Sequence, residues 1–186
     1  MDRQLERIKK AYDLTVEQYY RGISPLDSIP EEIKKSLFYR SVAEDKDVLN
    51  SGSLDVREYP RPESGKHFLD AGCSANLVNY RLDRWPSTYY GVDISPALVS
   101  VMKNFVSREH ITIGGLFVSD LSMLPFGDGF FDISAVIGVM EYCSFEYIKQ
   151  ALSELNRVLK VKSSVVLDIP NLHHPYAEDR LSWRNT

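Results

Sequence analysis

The chain has 186 residues, 44% hydrophobic and 26% charged, with a net charge of −4. This composition excludes a disordered chain, and the length is enough to bury a core without disulfide staples. Mild acidity and the lack of a dense Lys/Arg run exclude a nucleic-acid backbone or an anionic membrane face as the expected partner.

Met1 to Lys10 is charged and carries no apolar signal core, and no apolar run is long enough to span a bilayer. Cys73 and Cys143 are too few and too far apart for a disulfide framework. A cytoplasmic location with reduced thiols is the expectation.

Two regions are expected in chain order. Residues 1–62 form a helical N-terminal extension, and residues 66–186 alternate strand and helix. The prolines and glycine of Tyr59-Pro60-Arg61-Pro62-Glu63-Ser64-Gly65 separate them. In the first region Leu5, Ile8, Tyr12, Val16 and Tyr19 recur at helical spacing, predicting one amphipathic helix over residues 2–20. A second helix is expected from Pro30-Glu31-Glu32, where proline suits the first turn and acids suit the positive helix end.

In the second region His67-Phe68-Leu69 is a short strand running into Asp70-Ala71-Gly72, and residues 77–84 read as a helix. Thr88 to Val92 is a second strand ending at Asp93. Ser95 caps the next helix with Pro96 in its first turn, and Leu98, Val101, Met102 and Phe105 form its face. Leu116-Phe117-Val118 is a third strand leading to Asp120, and residues 131–137 are a fourth. Residues 145–160 form a helix with Ile148, Leu152, Leu155, Val158 and Leu159 inward, and residues 164–169 are a fifth strand.

Alternating strands and helices imply an α/β fold with parallel pairing, because parallel strands need a crossover and the helix supplies it. Such a sheet binds ligands at the carboxyl ends of its strands, near the point where strand order reverses. That brings Gly72, Asp93, Asp120 and Gly138 together. The loop Asp70-Ala71-Gly72-Cys73-Ser74-Ala75-Asn76 is rich in small residues that let backbone approach a ligand. It reads equally as a tight turn. Asn76 suits a left-handed position or a helix cap. Asp93 lies about twenty residues beyond that glycine, where an acid accepts from ribose hydroxyls or simply precedes a helix. Asp120 has the chemistry to accept from an exocyclic amine, with Leu121 or Ile94 packing on the ring. The plain alternative is a surface loop acid.

Taken together, these pieces resemble the class I S-adenosylmethionine-dependent methyltransferases. Phe68-Leu69-Asp70-Ala71-Gly72-Cys73 is similar to their first motif, and Gly91-Val92-Asp93-Ile94-Ser95 to the second. Asp120 through Leu124-Pro125-Phe126, then Phe130-Phe131-Asp132, resembles the third and fourth. Gly138-Val139-Met140-Glu141-Tyr142 resembles the segment after the fourth strand, and Leu155 to Lys160 the helix before the fifth. The likeness runs over residues 67–171. It implies a Rossmann-like open sheet of order 3-2-1-4-5 flanked by helices, and S-adenosylmethionine as cofactor. Asp70 would orient the loop near the methionine end, and Gly72, Cys73 and Ser74 would offer it backbone contacts, with Ala71 in the same loop. Asp93 would hold the ribose, Ile94 would pack on adenine, Asp120 and Leu121 would bracket the adenine edge, and Gly138 and Val139 would line the methionine and substrate side. The helical extension would fold over the cofactor as a lid, with Tyr12, Tyr19 and Tyr20 on it.

Two departures stand out. The family carries glycine where Ser74 and Asn76 stand, and its sheet continues into a sixth and a seventh strand. Here only residues 172–186 follow Asn171, so those strands are expected to be missing. The fifth strand would then be an exposed apolar edge, expected to be covered by another subunit in a homo-oligomer or by the N-terminal segment, with Leu54 to Tyr59 as the cover strand.

The function implied is methyl transfer to a small-molecule acceptor. A non-catalytic cofactor-binding or interaction protein remains an alternative because of Ser74, Asn76 and the missing strands. A nicotinamide-dependent oxidoreductase also fits Asp93 but lacks the further glycines of that fingerprint. Possible general bases are His173, Tyr142 and Glu141, each of which reads as readily as a loop or packing residue. Asp168, Asn171 and His173 lack a tight ligand pattern, so no metal site is expected.

Overall fold

The computed structural model describes residues 3–21, 35, 61–140 and 143–169. Its strands are β1 (His67–Ala71), β2 (Thr88–Asp93), β3 (Gly115–Val118), β4 (Phe131–Val136) and β5 (Leu159–Leu167). Its helices are α1 (Arg3–Tyr20), α2 (Asn76–Tyr80), α3 (Pro96–Arg108) and α4 (Phe145–Val158). All strand pairs are parallel, in the order β3-β2-β1-β4-β5. The order reverses at β1, so the carboxyl ends of β1, β2 and β4 frame a crevice.

The period-2 alternation of β1 divides the interior into two cores. Phe68 joins Tyr89, Leu116 and Ile133 against Leu77 of α2 and Val99 and Met102 of α3. Leu69 and Ala71 join Val92, Phe131 and Val136 against Tyr147, Ala151, Leu155 and Val158 of α4 and Leu5 of α1. Each large apolar side chain buried this way contributes roughly 1.5–3 kcal/mol. Helix α1 lies beside α3, and Asp13 accepts a hydrogen bond from the Ser95 hydroxyl. That hydroxyl also accepts from the Leu98 amide at 3.1 Å, capping α3.

Four expectations about the helices are corrected. The helix expected over 77–84 breaks after Tyr80, because Arg81 takes a left-handed φ of 50° and a 3-10 turn follows at Leu82–Arg84. The Arg81 guanidinium clasps the Asp83 carboxylate at 2.9 and 3.0 Å across this break. The helix expected to reach Lys160 stops at Val158, and β5 starts at once. Leu159 pairs with Phe131 but Ser164 pairs with Ile133, so the intervening residues form a bulge with Lys162 at φ 67°. The inner face of α4 is Tyr147, Ala151, Leu155 and Val158, whereas Leu152 is 41% exposed. On α3 the buried set is Leu98, Val99 and Met102, with Val99 in place of Val101.

Among the described residues the sheet has five strands and nothing pairs with the outer edge of β5, where Val161 is 94% exposed. The expected cover strand 54–59, the helix from Pro30 and residues 170–186 lie outside the described residues. No described helix is long and apolar enough to cross a membrane.

Candidate functional site

The loop after β1 turns sharply. Gly72 has φ 79° and Ser74 φ 39°, both in the left-handed region. The amides of Gly72 and Cys73 both donate to the Val92 carbonyl, at 2.8 and 2.9 Å, and the Ser74 amide donates to Asp93 Oδ2 at 2.8 Å. The three amides expected to offer themselves to a ligand are therefore engaged inside the protein. What Gly72 and Ser74 supply to the crevice is close backbone approach. A Cβ on Gly72 would lie 2.2 Å from Val139 Cγ2, so only glycine lets the β1 and β4 loops meet.

Behind this loop sit Asp70, Ala71 and Cys73, all fully buried and none lining the crevice. Asp70 Oδ2 accepts from the Tyr89 hydroxyl at 3.0 Å and from Asn76 Nδ2 at 3.1 Å. Asn76 neither takes a left-handed conformation nor caps a helix. It is the first residue of α2, and its amide ties the loop to Asp70. Burial pushes the Cys73 thiol well up, aided by the charges of Asp70 and Asp93, so it stays protonated and inert.

Asp93 ends β2 and lines the crevice while only 7% exposed. Burial raises its carboxyl against the lowering effect of bonds from the Ser95, Ser74 and Ile94 amides. Ser95 N donates to Oδ1 at 2.9 Å and Ser74 N to Oδ2. The carboxylate keeps lone-pair capacity for a hydroxyl donor beyond these amide bonds. Ile94 and Leu121 present apolar surface to the same space. Asp120 stands between Ser119 and Leu121, which line the crevice, but does not itself line it. Its Oδ1 accepts from Ser122 N, Ser122 Oγ and Tyr147 Oη at 2.8, 2.8 and 2.7 Å. Gly138 and Val139 form the opposite wall, and Asp168 Oδ1 accepts from the Gly138 amide at 2.8 Å.

The crevice encloses about 670 Å³ including its open mouth, within the size range of small-molecule sites. Leu5, Ile8 and Tyr12 of α1 line it on one side, with Asn76, Ile137, Cys143 and Tyr147 completing the wall. Among the described lining residues there is no Lys or Arg. With the Gly72, Cys73 and Ser74 amides engaged as well, the described lining residues offer no cationic cradle for a pyrophosphate. A nucleoside with an uncharged or cationic tail fits better. Asp93 suits the ribose hydroxyls, Ile94 and Leu121 suit a flat base, and Gly72 leaves room for the tail.

The sequence did not single out Leu5, Ile8 or Tyr147 as site residues. For Tyr147 the signal was present: residues 147, 151, 155 and 158 share one helical face, and Tyr147 begins it at the end nearest the crevice. Of the lid tyrosines, Tyr12 lines the crevice and Tyr20 is exposed. The side chain of Tyr19 lies outside the described residues, as do Glu141, Tyr142, His173 and Asn171.

The methyltransferase-domain family matches residues 69–167. Magnesium-protoporphyrin O-methyltransferase of Rhodobacter capsulatus is 24% identical over 163 residues, 88% of this chain and 68% of that protein. An uncharacterized protein of Methanocaldococcus jannaschii is 29% identical over 158 residues, 84% of this chain and 61% of that protein. The chain thus spans about two thirds of the length of these curated relatives. Geranyl diphosphate C-methyltransferase from Streptomyces coelicolor A3(2), crystallised with Mg2+, geranyl diphosphate and S-adenosyl-L-homocysteine, shares the fold. Its TM-score is 0.69 at 19% identity, covering 99% of this chain and 73% of that one.

Proposed function

Because the chain belongs to the class I S-adenosylmethionine-dependent methyltransferase family, we propose that its crevice holds S-adenosylmethionine and that the protein transfers the methyl group to a small-molecule acceptor. The observation that carries this reading is Asp93, a carboxylate held by backbone amides at a crevice without Lys or Arg among its described lining residues.

S-adenosylmethionine supplies, when bound, a sulfonium-activated methyl group, which leaves proximity and alignment to the protein. Asp93 would hold the ribose and Ile94 and Leu121 would clasp the adenine. Gly72, Gly138 and Val139 would line the methionine side. Residues 1–62 act as a lid in this reading: Leu5, Ile8 and Tyr12 line the crevice, where they would exclude water from a bound cofactor. Binding needs no metal in this scheme, and the proton acceptor is to be sought among His173, Tyr142 and Glu141.

Calorimetric titration with S-adenosylmethionine and S-adenosylhomocysteine tests the site. Wild-type protein is expected to bind both, and Asp93→Ala to bind at least about tenfold more weakly, as expected for lost bonds to a charged group. Unchanged affinity in that variant removes the ribose assignment. Transfer of a labelled methyl group into a metabolite extract distinguishes an enzyme from a cofactor-binding protein without catalysis.

A further inference from the structure

Helix α1, helix α3 and Asp93 meet at one residue, Ser95. Its amide donates to Asp93 Oδ1 at 2.9 Å, and its hydroxyl accepts from the Leu98 amide at 3.1 Å to cap α3. The same hydroxyl donates to Asp13 Oδ1 of α1, 82 residues away in the chain. Ser95 is fully buried and Asp93 nearly so. Helix α1 reaches the crevice with a single stripe, Leu5, Ile8 and Tyr12, and Asp13 follows Tyr12 directly.

Packing alone gives α1 an anchor, because Leu5 and Val16 are buried. A neutral amide or hydroxyl at position 13 has the oxygen to accept from Ser95 as well. A carboxylate there carries a cost, since it stands close enough to Asp93 to raise that carboxyl by like-charge repulsion. What it adds is strength: a hydroxyl bonded to an ionised acceptor is roughly twice as strong as a neutral pair. With Asp13 engaged, Ser95 is fixed through its hydroxyl, and its amide is the donor that orients Asp93 Oδ1. A ligand held at Asp93 is then felt by α1, and the seating of α1 is felt at Asp93.

We propose that Asp13 is a positioning residue that couples the seating of α1 to Asp93 through Ser95, so that the helix holds down a bound ligand and slows its release. This rests on the reading of the crevice as an S-adenosylmethionine site. Asp13 does not line the crevice; it acts through Ser95.

The test is hydrogen exchange of the α1 amides together with binding of S-adenosylhomocysteine, both on the full chain. In wild type the bound ligand is expected to slow exchange across α1 by about tenfold. Asp13→Ala is expected to raise the dissociation rate by about tenfold with little change in association, and to abolish the protection of α1. Asp13→Asn keeps an oxygen that accepts from Ser95, and is expected to stay within about threefold of wild type. In an Asp93→Ala background, Asp13→Ala is expected to weaken binding by less than about twofold more, because the path to the ligand is already cut. An unchanged dissociation rate in Asp13→Ala makes Asp13 a surface acid and overturns the proposal. Equal losses in Asp13→Ala and Asp13→Asn assign the effect to charge rather than to the bond, and overturn it too. Full additivity with Asp93→Ala means that α1 acts without Asp93, which does the same. If Asp13→Ala does not fold, wild type decides: α1 exchange that is equal with and without bound ligand overturns the proposal. A wild type that binds no S-adenosylhomocysteine overturns the cofactor reading itself, and this proposal with it; one that binds it without protecting α1 overturns only this proposal.

Discussion

At the carboxyl ends of β1 and β4 the chain sets Gly72, Ser74 and Gly138 at positive φ, with Asp93 and Asp168 receiving backbone amides from this turn-rich rim. At the amino ends it packs rings instead. His67 and Phe130 lie 4.6 Å apart, Phe126 and Phe131 4.7 Å, Phe130 and Phe131 4.9 Å, and Tyr90 and Phe130 5.3 Å between centroids, mostly edge to face. Arg157 ties the adjoining loop down, donating to Glu154, Asp128 and the Phe126 carbonyl. One end fills its volume and gains stability from it. The other keeps volume open with small residues and strained backbone, and stability is given up there for a ligand. The contrast teaches that damage at the two ends should separate cleanly into loss of binding and loss of stability.

The harshest way to break that contrast is Gly72→Ala. The added Cβ meets Val139 Cγ2 at 2.2 Å and sits at φ 79°. Left-handed strain and overpacking together cost about 3 kcal/mol, and the β1 and β4 loops must part. S-adenosylhomocysteine affinity is expected to fall by about a hundredfold or more in the fraction that folds, as read by calorimetry beside thermal melting. Its counterpart is Phe131→Leu at the fully buried aromatic end. There the expected loss is about 1–2 kcal/mol of stability with the dissociation constant unchanged. A Phe131→Leu variant that binds poorly while folded would show the two ends to be coupled.

These two positions also show what was legible in the sequence. The strands and the ends of β2 and β4 followed from apolar runs punctuated by acids and glycines, because burial and turn chemistry are local, whereas the strand order came from the family resemblance. Asp93 was found for the same reason: it ends a strand at a fixed distance beyond a glycine loop. Where each loop amide goes was not legible. The engagement of the Gly72 and Cys73 amides by Val92 is a contact between neighbouring strands, set by register. The Tyr147–Asp120 bond joins residues from different elements, and no period in the sequence announces it. The bulge in β5 was hidden too. Residues 160–163 continue an apolar-charged alternation that reads as helix end as easily as strand.

A smaller effect follows from acid. Burial raises the Asp93 carboxyl above its ordinary 3.8, with Asp13 nearby adding to the rise. Ribose hydroxyls need the ionised form as acceptor. Affinity is therefore expected to fall as pH drops through that raised value, earlier than for an ordinary aspartate and by at most about tenfold per pH unit. Stability moves the other way. The folded state holds this proton more tightly than the unfolded state, so the contribution of Asp93 disfavours folding above its folded pKa. That contribution is relieved as pH falls through the folded pKa toward the unfolded one. Titrations compared between wild type and Asp93→Asn isolate the group. A parallel fall of affinity and of the stability difference would contradict the assignment.

The smallest expected effect sharpens the contrast at its most ambiguous residue. Ser74 occupies a position where the family carries glycine, and it still adopts a φ of 39°. That conformation favours glycine, and the serine bears left-handed strain of about 1 kcal/mol. Ser74→Gly relieves that strain but adds freedom to the unfolded chain, roughly 0.5 kcal/mol in the opposite direction. The net expectation is a gain of about 0.5 kcal/mol in thermal or urea unfolding. The Ser74 amide donates to Asp93 Oδ2 through the backbone, which the substitution preserves. Affinity for S-adenosylhomocysteine should therefore hold or rise slightly. If Ser74→Gly instead weakens binding, the serine hydroxyl itself touches the ligand, and this end of the sheet reads its cofactor with a side chain as well as with backbone.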